Sequence, residues 1–106
     1  MAAMHTVAET EVFQRYAASI WSERERLEFI DWIAANPQAG DVIPGSGGCR
    51  KVRWSRAGMG KRGGARVIYF NEADGRIWLL IAYAKAKFDN LPAEFLVRLK
   101  AEVEHG

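Results

Sequence analysis

"RIWLLIAYA", residues 76–84, decides how the chain is to be read. After its arginine every residue is apolar or aromatic. A run this short and this apolar fits a central strand covered on both faces. A sheet hidden on both sides needs helices to hide it, and more strands beside it. Just upstream, "NEADG" (71–75) reads as a hairpin turn with Gly75 at its end, and "ARVIYF" (65–70) as the strand before that turn. "CRKVRW" (49–54) alternates and reads as a further strand. Val52 and Trp54 then point to the core, while Lys51 and Arg53 share the opposite face. The three strands form an antiparallel meander.

The flanks supply the cover. Downstream, Asn90-Leu91-Pro92 opens a closing helix with Phe95, Leu96, Leu99 and Val103 facing inward. Upstream, Thr10 is a helix N-cap, followed at helical spacing by Val12, Phe13, Tyr16, Ala17, Ile20 and Trp21. Ser22 and Glu25 make a capping box for a second helix, which buries Leu27, Phe29, Ile30, Ile33 and Ala34 and stops at Asn36-Pro37. Residues 5–8 read as a short first strand, and "GDVIPGSGG" (40–48) as a loop. Trp21, Trp32, Trp54 and Trp78 all read mostly as core. The order β-α-α-β-β-β-α describes an α+β domain with a small antiparallel sheet packed with helices. Residues 1–106 make a single domain.

The charge is uneven. The net formal charge is +2, yet residues 42–71 hold seven Lys or Arg and no Asp or Glu. The remaining eight basic and thirteen acidic residues give −5 elsewhere. A concentrated positive patch on a mildly acidic body points to a polyanionic partner. Lys51, Arg53 and Arg66 are brought together if their strands pair antiparallel. Like charges facing one another cost stability, and a phosphate relieves that cost. Tyr83, Lys85 and Lys87 share a face at the end of the last strand, where Tyr83 is suited to stack on a base or to donate a proton.

Several chemistries do not fit. "GMGKRG" (58–63) runs into a strand, whereas the dinucleotide motif needs a helix after it. The phosphate-binding P-loop fails because Lys61 is followed by Arg62. The segment is either a plain hairpin tip or a basic finger that settles on nucleic-acid backbone through Lys61 and Arg62. His5 and His105 both lie near the ends, so a paired-histidine ribonuclease and a Ser-His-Asp triad lack a well-placed histidine. No metal-ligand cluster is visible, and no cofactor is expected. The lone Cys49 cannot build an intrachain disulfide framework and suits a reducing compartment. With neither a leader nor an apolar run long enough to span a membrane, the cytoplasm is the expected location.

The combination "GCRKVR" (48–53) with "GKRGGARVIY" (60–69), running on to "IWLLIAYAK" (77–85), resembles the RelE-like toxins of bacterial toxin–antitoxin pairs, most closely their HigB branch. The two preceding helices and the closing helix fit the same pattern. The resemblance implies a metal-independent endoribonuclease that cuts messenger RNA in the decoding site of the ribosome. It also implies a cognate antitoxin, a HigA-like helix-turn-helix protein, as partner. By position, the family's alternating basic pair falls on Lys51 and Arg53, its next arginine on Arg66, and its terminal basic segment on Tyr83, Lys85 and Lys87. Where many relatives in this branch carry Asn-Glu, this chain has Ala86-Lys87, and no tyrosine follows Tyr83.

The expected reaction is attack of a ribose 2′-OH on the adjacent phosphorus, giving a 2′,3′-cyclic phosphate and a free 5′-OH. Lys51 is the candidate base, since the cations Arg50, Arg53 and Arg66 around it favour its neutral form. Arg53 and Arg66 hold the developing phosphorane charge. Lys85 or Tyr83 protonates the leaving oxygen. Arg50, Arg56, Lys61, Arg62 and Lys87 grip RNA or ribosome. Two rivals share these features: a ParE-like toxin that poisons gyrase, and a non-enzymatic nucleic-acid binder whose hairpin only grips phosphate.

Overall fold

The computed structural model describes residues 5–54, 64–84 and 91–105, with His105 for its backbone only. The chain order is β1 (Thr6–Glu9), α1 (Glu11–Ile20), α2 (Glu23–Ala35), β2 (Asp41–Val42), β3 (Arg50–Trp54), β4 (Ala65–Asn71), β5 (Arg76–Ala84) and α3 (Ala93–His105). The strands form one five-stranded sheet in the order β1-β5-β4-β3-β2. The β3-β4-β5 meander is antiparallel, as its alternation predicts. Gly75 closes the β4–β5 hairpin at φ 93°, a conformation that favours glycine.

Two features correct the simpler sheet read from sequence. β1 pairs with β5 in parallel, with Thr6 opposite Arg76 and Glu9 opposite Leu79, so the sheet is mixed. Its connection to the rest of the sheet runs through two helices, which is the kind of crossover a parallel pair needs. The stretch read as a loop also holds β2, which pairs Asp41 with Lys51 and Val42 with Arg50. Two residues are too few to leave an alternating signature.

The helix starts follow the sequence. The Thr10 hydroxyl accepts the Phe13 N–H at 3.0 Å and donates to the Leu79 carbonyl at 2.8 Å. One side chain thus caps α1 and ties it to β5. Ser22 and Glu25 form the expected reciprocal capping box on α2, at 3.2 and 2.9 Å. Asn36 caps the other end of α2.

β5 is buried on both faces, so two cores flank the sheet. On one side, Phe13, Ala17, Trp21, Phe29 and Ile33 of the helical segment meet Val52, Val67, Tyr69, Ile77 and Leu79. Trp21 sits at the centre of an aromatic group with Phe29 and Trp54, at centroid distances of 5.4 and 5.6 Å. On the other side, Leu96 and Leu99 of α3 meet Ile68, Phe70, Leu80, Ile81 and Tyr83. Leu80 and Ile81 are neighbours in sequence yet share that second core. The cause is a bulge: Ile68 pairs with Ile81 while Tyr69 pairs with Leu79, leaving Leu80 as the extra residue. Among the described residues, no helix is long and apolar enough to cross a membrane.

Candidate functional site

The register of the meander assembles the site. Arg53 on β3 stands opposite Arg66 on β4, and Arg66 stands opposite Tyr83 on β5. The three make one row across the sheet. Lys51 stands two positions along β3, opposite Ile68. Val52 and Val67 between them face the first core, so by alternation Lys51, Arg53 and Arg66 lie on the other face. Arg53 is exposed, and Lys51 and Arg66 are half-buried. Side chains that stand directly opposite are only ~5 Å apart at Cβ, close enough for two arginines to share one anion.

Beside these cations runs an open cleft. β2 stops at Asp41, and the outer edge of β3 continues beyond it. Trp32, Ala39 and Asp41 line the cleft together with Lys51, Val52, Arg53 and Arg66. The wall that carries Asp41 is clamped to the sheet. The Tyr69 hydroxyl accepts the Gly40 N–H at 2.8 Å and donates to the Pro37 carbonyl at 2.9 Å. The Asn71 amide donates to the same Pro37 carbonyl at 2.8 Å. The loop comes so close that a Cβ on Gly40 would stand 2.9 Å from both the Lys51 carbonyl oxygen and the Tyr69 ring.

Arg50 belongs to this clamp. Sequence alone groups it with the RNA contacts, but its guanidinium donates to the Gly40 carbonyl at 2.7 Å. It pairs in register with Tyr69, and alternation puts it across the sheet from Lys51 and Arg53. Tyr83 also departs from the expectation that it stacks on a base. Only 2% of it is exposed, and its ring belongs to the second core. Burial pushes the Tyr83 phenol up from its ordinary value near 10, and the Arg66 charge pulls it part of the way back. The phenol therefore keeps its proton at neutral pH. Arg56, Lys61, Arg62, Lys85 and Lys87 lie outside the described residues.

A mixed sheet of this strand order, with two helices before the meander and one after it, has known counterparts among solved structures. The E. coli toxin RelE, solved in the free state as a double arginine-to-alanine mutant, superposes with a TM-score of 0.62 at 13% identity, covering 92% of this chain and 98% of that one. The fold is that of the RelE toxins. A second counterpart is the RelBE2 toxin–antitoxin complex from Mycobacterium tuberculosis, with a TM-score of 0.59 at 13% identity over 77% of this chain and 99% of that one. No family model matches the chain.

Within this RelE fold, two cleft residues escape a reading of the sequence. Trp32 sits in a helical pattern and reads as core, and its indole does pack on Phe29 at a centroid distance of 6.1 Å. Nothing local says that it also borders the cleft. Asp41 reaches the site only through β2, which has no alternation to reveal it. The signal that was available lay in the charges: Lys51, Arg53 and Arg66 are drawn together by parity and pairing alone.

Proposed function

We propose that this chain is the toxin of a type II toxin–antitoxin pair and an endoribonuclease that cuts messenger RNA on the ribosome. The observation that carries the reading is the Arg53–Arg66 row with Lys51 beside it, on a fold shared with RelE. Two opposed arginines on an open face suit a phosphodiester whose charge grows in the transition state. The antitoxin partner is proposed on the likeness to a toxin solved in complex with its antitoxin; a HigA-like identity rests on the sequence resemblance, as does placement in the HigB branch. The site of action is the cytoplasm, where translating ribosomes are.

In the proposed reaction, the ribose 2′-OH attacks the adjacent phosphorus and gives its proton to Lys51, the proposed base. Arg53 and Arg66 hold the two non-bridging oxygens of the phosphorane. The bond to O5′ breaks, leaving a 2′,3′-cyclic phosphate, and O5′ takes a proton. Tyr83, buried behind Arg66, is suited to hold that guanidinium in place, which leaves proton donation to Lys85. The catalysts are weak acids and bases. The ribosome compensates by positioning the message, which contributes up to ~7–11 kcal/mol of barrier lowering.

The test is expression of the chain alone, with primer extension on translated messages. New 5′ ends within coding regions, together with arrested growth, are expected. Uninterrupted protein synthesis with no new ends overturns the reading. Gyrase inhibition without RNA cutting moves it to the ParE-like rival. Cutting is expected to survive EDTA treatment of the purified toxin once it is returned to ribosomes in ordinary magnesium, since every proposed step uses side chains of this chain. A need for added zinc or manganese overturns that part.

A further inference from the structure

We propose that Trp32 and Asp41 form a base pocket in the wall of the cleft, taking the nucleobase next to the phosphate held by Arg53 and Arg66. This deepens the ribonuclease reading and rests on it. Trp32 stacks on the base, and the Asp41 carboxylate accepts a hydrogen bond from an exocyclic amino group.

The cleft is lined by unlike groups: the cations Lys51, Arg53 and Arg66, and beside them one aromatic and one carboxylate, Trp32 and Asp41. A polyanion backbone is drawn to the cations and repelled by the carboxylate. A nucleotide has two ends that match: an anionic phosphate, and a flat base with amino protons. Trp32 is half-buried, with Phe29 behind it and the cleft beside it. A ring so anchored loses little freedom when a base settles on it, and stacking on an aromatic ring tolerates any base. Tyr83, the other aromatic at the row, is closed to stacking by its burial.

Asp41 supplies the discrimination. A carboxylate only accepts hydrogen bonds. Adenine, cytosine and guanine each carry an amino group, whereas uracil presents a carbonyl oxygen at the matching position, which a carboxylate repels. Asp41 also stands opposite Lys51 in register, so the plainer alternative is that it merely balances that charge. The alternatives part on base choice, since charge balance predicts no preference. The wall is built before any ligand arrives: Tyr69, Asn71 and Arg50 hold residues 37–40 with four hydrogen bonds. A pocket fixed in advance binds without the cost of ordering its loop.

The experiment is single-turnover cleavage on programmed ribosomes whose A-site codons vary one base at a time, with thermal melting as the folding control. Trp32→Leu keeps the apolar packing on Phe29 and removes the flat face; Trp32→Phe keeps a flat face. The leucine variant is expected to cut roughly 10-fold more slowly, chiefly through KM, and the phenylalanine variant to stay within roughly 3-fold of the unaltered chain. Asp41→Asn, which can donate as well as accept, is expected to raise cutting at codons with uracil in the read position relative to the others. Equal rates for the leucine and phenylalanine variants overturn the stacking role. An unchanged codon spectrum in Asp41→Asn overturns the base-reading role, and that arm decides the matter if Trp32→Leu fails to fold. If the unaltered chain cuts nothing, the toxin reading fails separately, and the pocket is judged by anisotropy of labelled oligoadenylate and oligouridylate. Tighter binding of oligoadenylate, lost in Asp41→Asn, supports it; equal binding of the two overturns it.

Discussion

Arg66 is the residue on which the site turns, because it alone has a register partner of functional interest on each side: Arg53 on β3 and Tyr83 on β5. Arg66→Ala is expected to leave the fold intact, since a half-buried arginine opposite another cation contributes little to folding and its loss relieves repulsion. Cleavage is expected to fall by ~10²–10³, the usual consequence of removing one donor to a developing oxyanion. Arg66→Lys should recover only part of the loss, because lysine restores the charge without the planar fork that spans two phosphate oxygens. Tyr83→Phe separates positioning from proton donation. If the phenol only steadies Arg66, the variant keeps the limb of the pH–rate profile that reports the general acid, and its rate drops by about the same factor at every pH. Loss of that limb would make Tyr83 the donor after all. Single-turnover rates against pH, with circular dichroism as the folding control, supply both answers.

At the scale of elements, the segment between α2 and β3 matters most, and it is the one that sequence describes least. Helix caps announce themselves because Thr10, Ser22 and Glu25 act within three residues of their targets. Strands β3, β4 and β5 announce themselves because their alternation and turn residues are local too. The segment 36–42 is held instead by partners some thirty positions away, Tyr69 and Asn71, and its two-residue strand leaves no period to detect. Arg50 reads as one more cation of the patch until Gly40, ten positions earlier, is seen beside it. The bulge at Leu80 likewise shifts which residues of β5 share a face, and no turn residue marks it. Tyr69→Phe tests the clamp. It strands the buried Gly40 N–H and withdraws a donor from Pro37, so stability is expected to drop by about 1–3 kcal/mol in chemical denaturation. Gly40→Ala is expected to cost a similar amount by a different route, since its methyl group meets backbone that cannot yield. A Tyr69→Phe variant as stable as the unaltered chain would mean that the loop holds without its tyrosine.

At the scale of the whole molecule, burial gives the stability a pH dependence. Tyr69 and Tyr83 both have phenols raised above their ordinary value near 10 by desolvation, and the buried Cys49 thiol is raised above 9.0 for the same reason. In each case the folded state holds its proton more tightly than the unfolded chain does. The stability this represents is fully present at neutral pH. It is lost as pH rises past the unfolded values and through the folded ones. Denaturation midpoints are therefore expected to fall as pH rises past the ordinary values of 9.0 and 10.0, with a shallower slope in Tyr69→Phe; a flat profile would contradict the burial of these groups. The parallel ladder of β1 on β5 has a consequence of another kind. Thr6 waits for Arg76, seventy residues later, before its strand has anything to pair with. Synthesis at ~5–20 residues per second makes that a delay of seconds on the scale of a nascent chain. Until β5 has cleared the exit tunnel, β1 has no partner strand and Arg66 has no Tyr83 opposite it. The first strand to be made is thus among the last to find its place in the sheet.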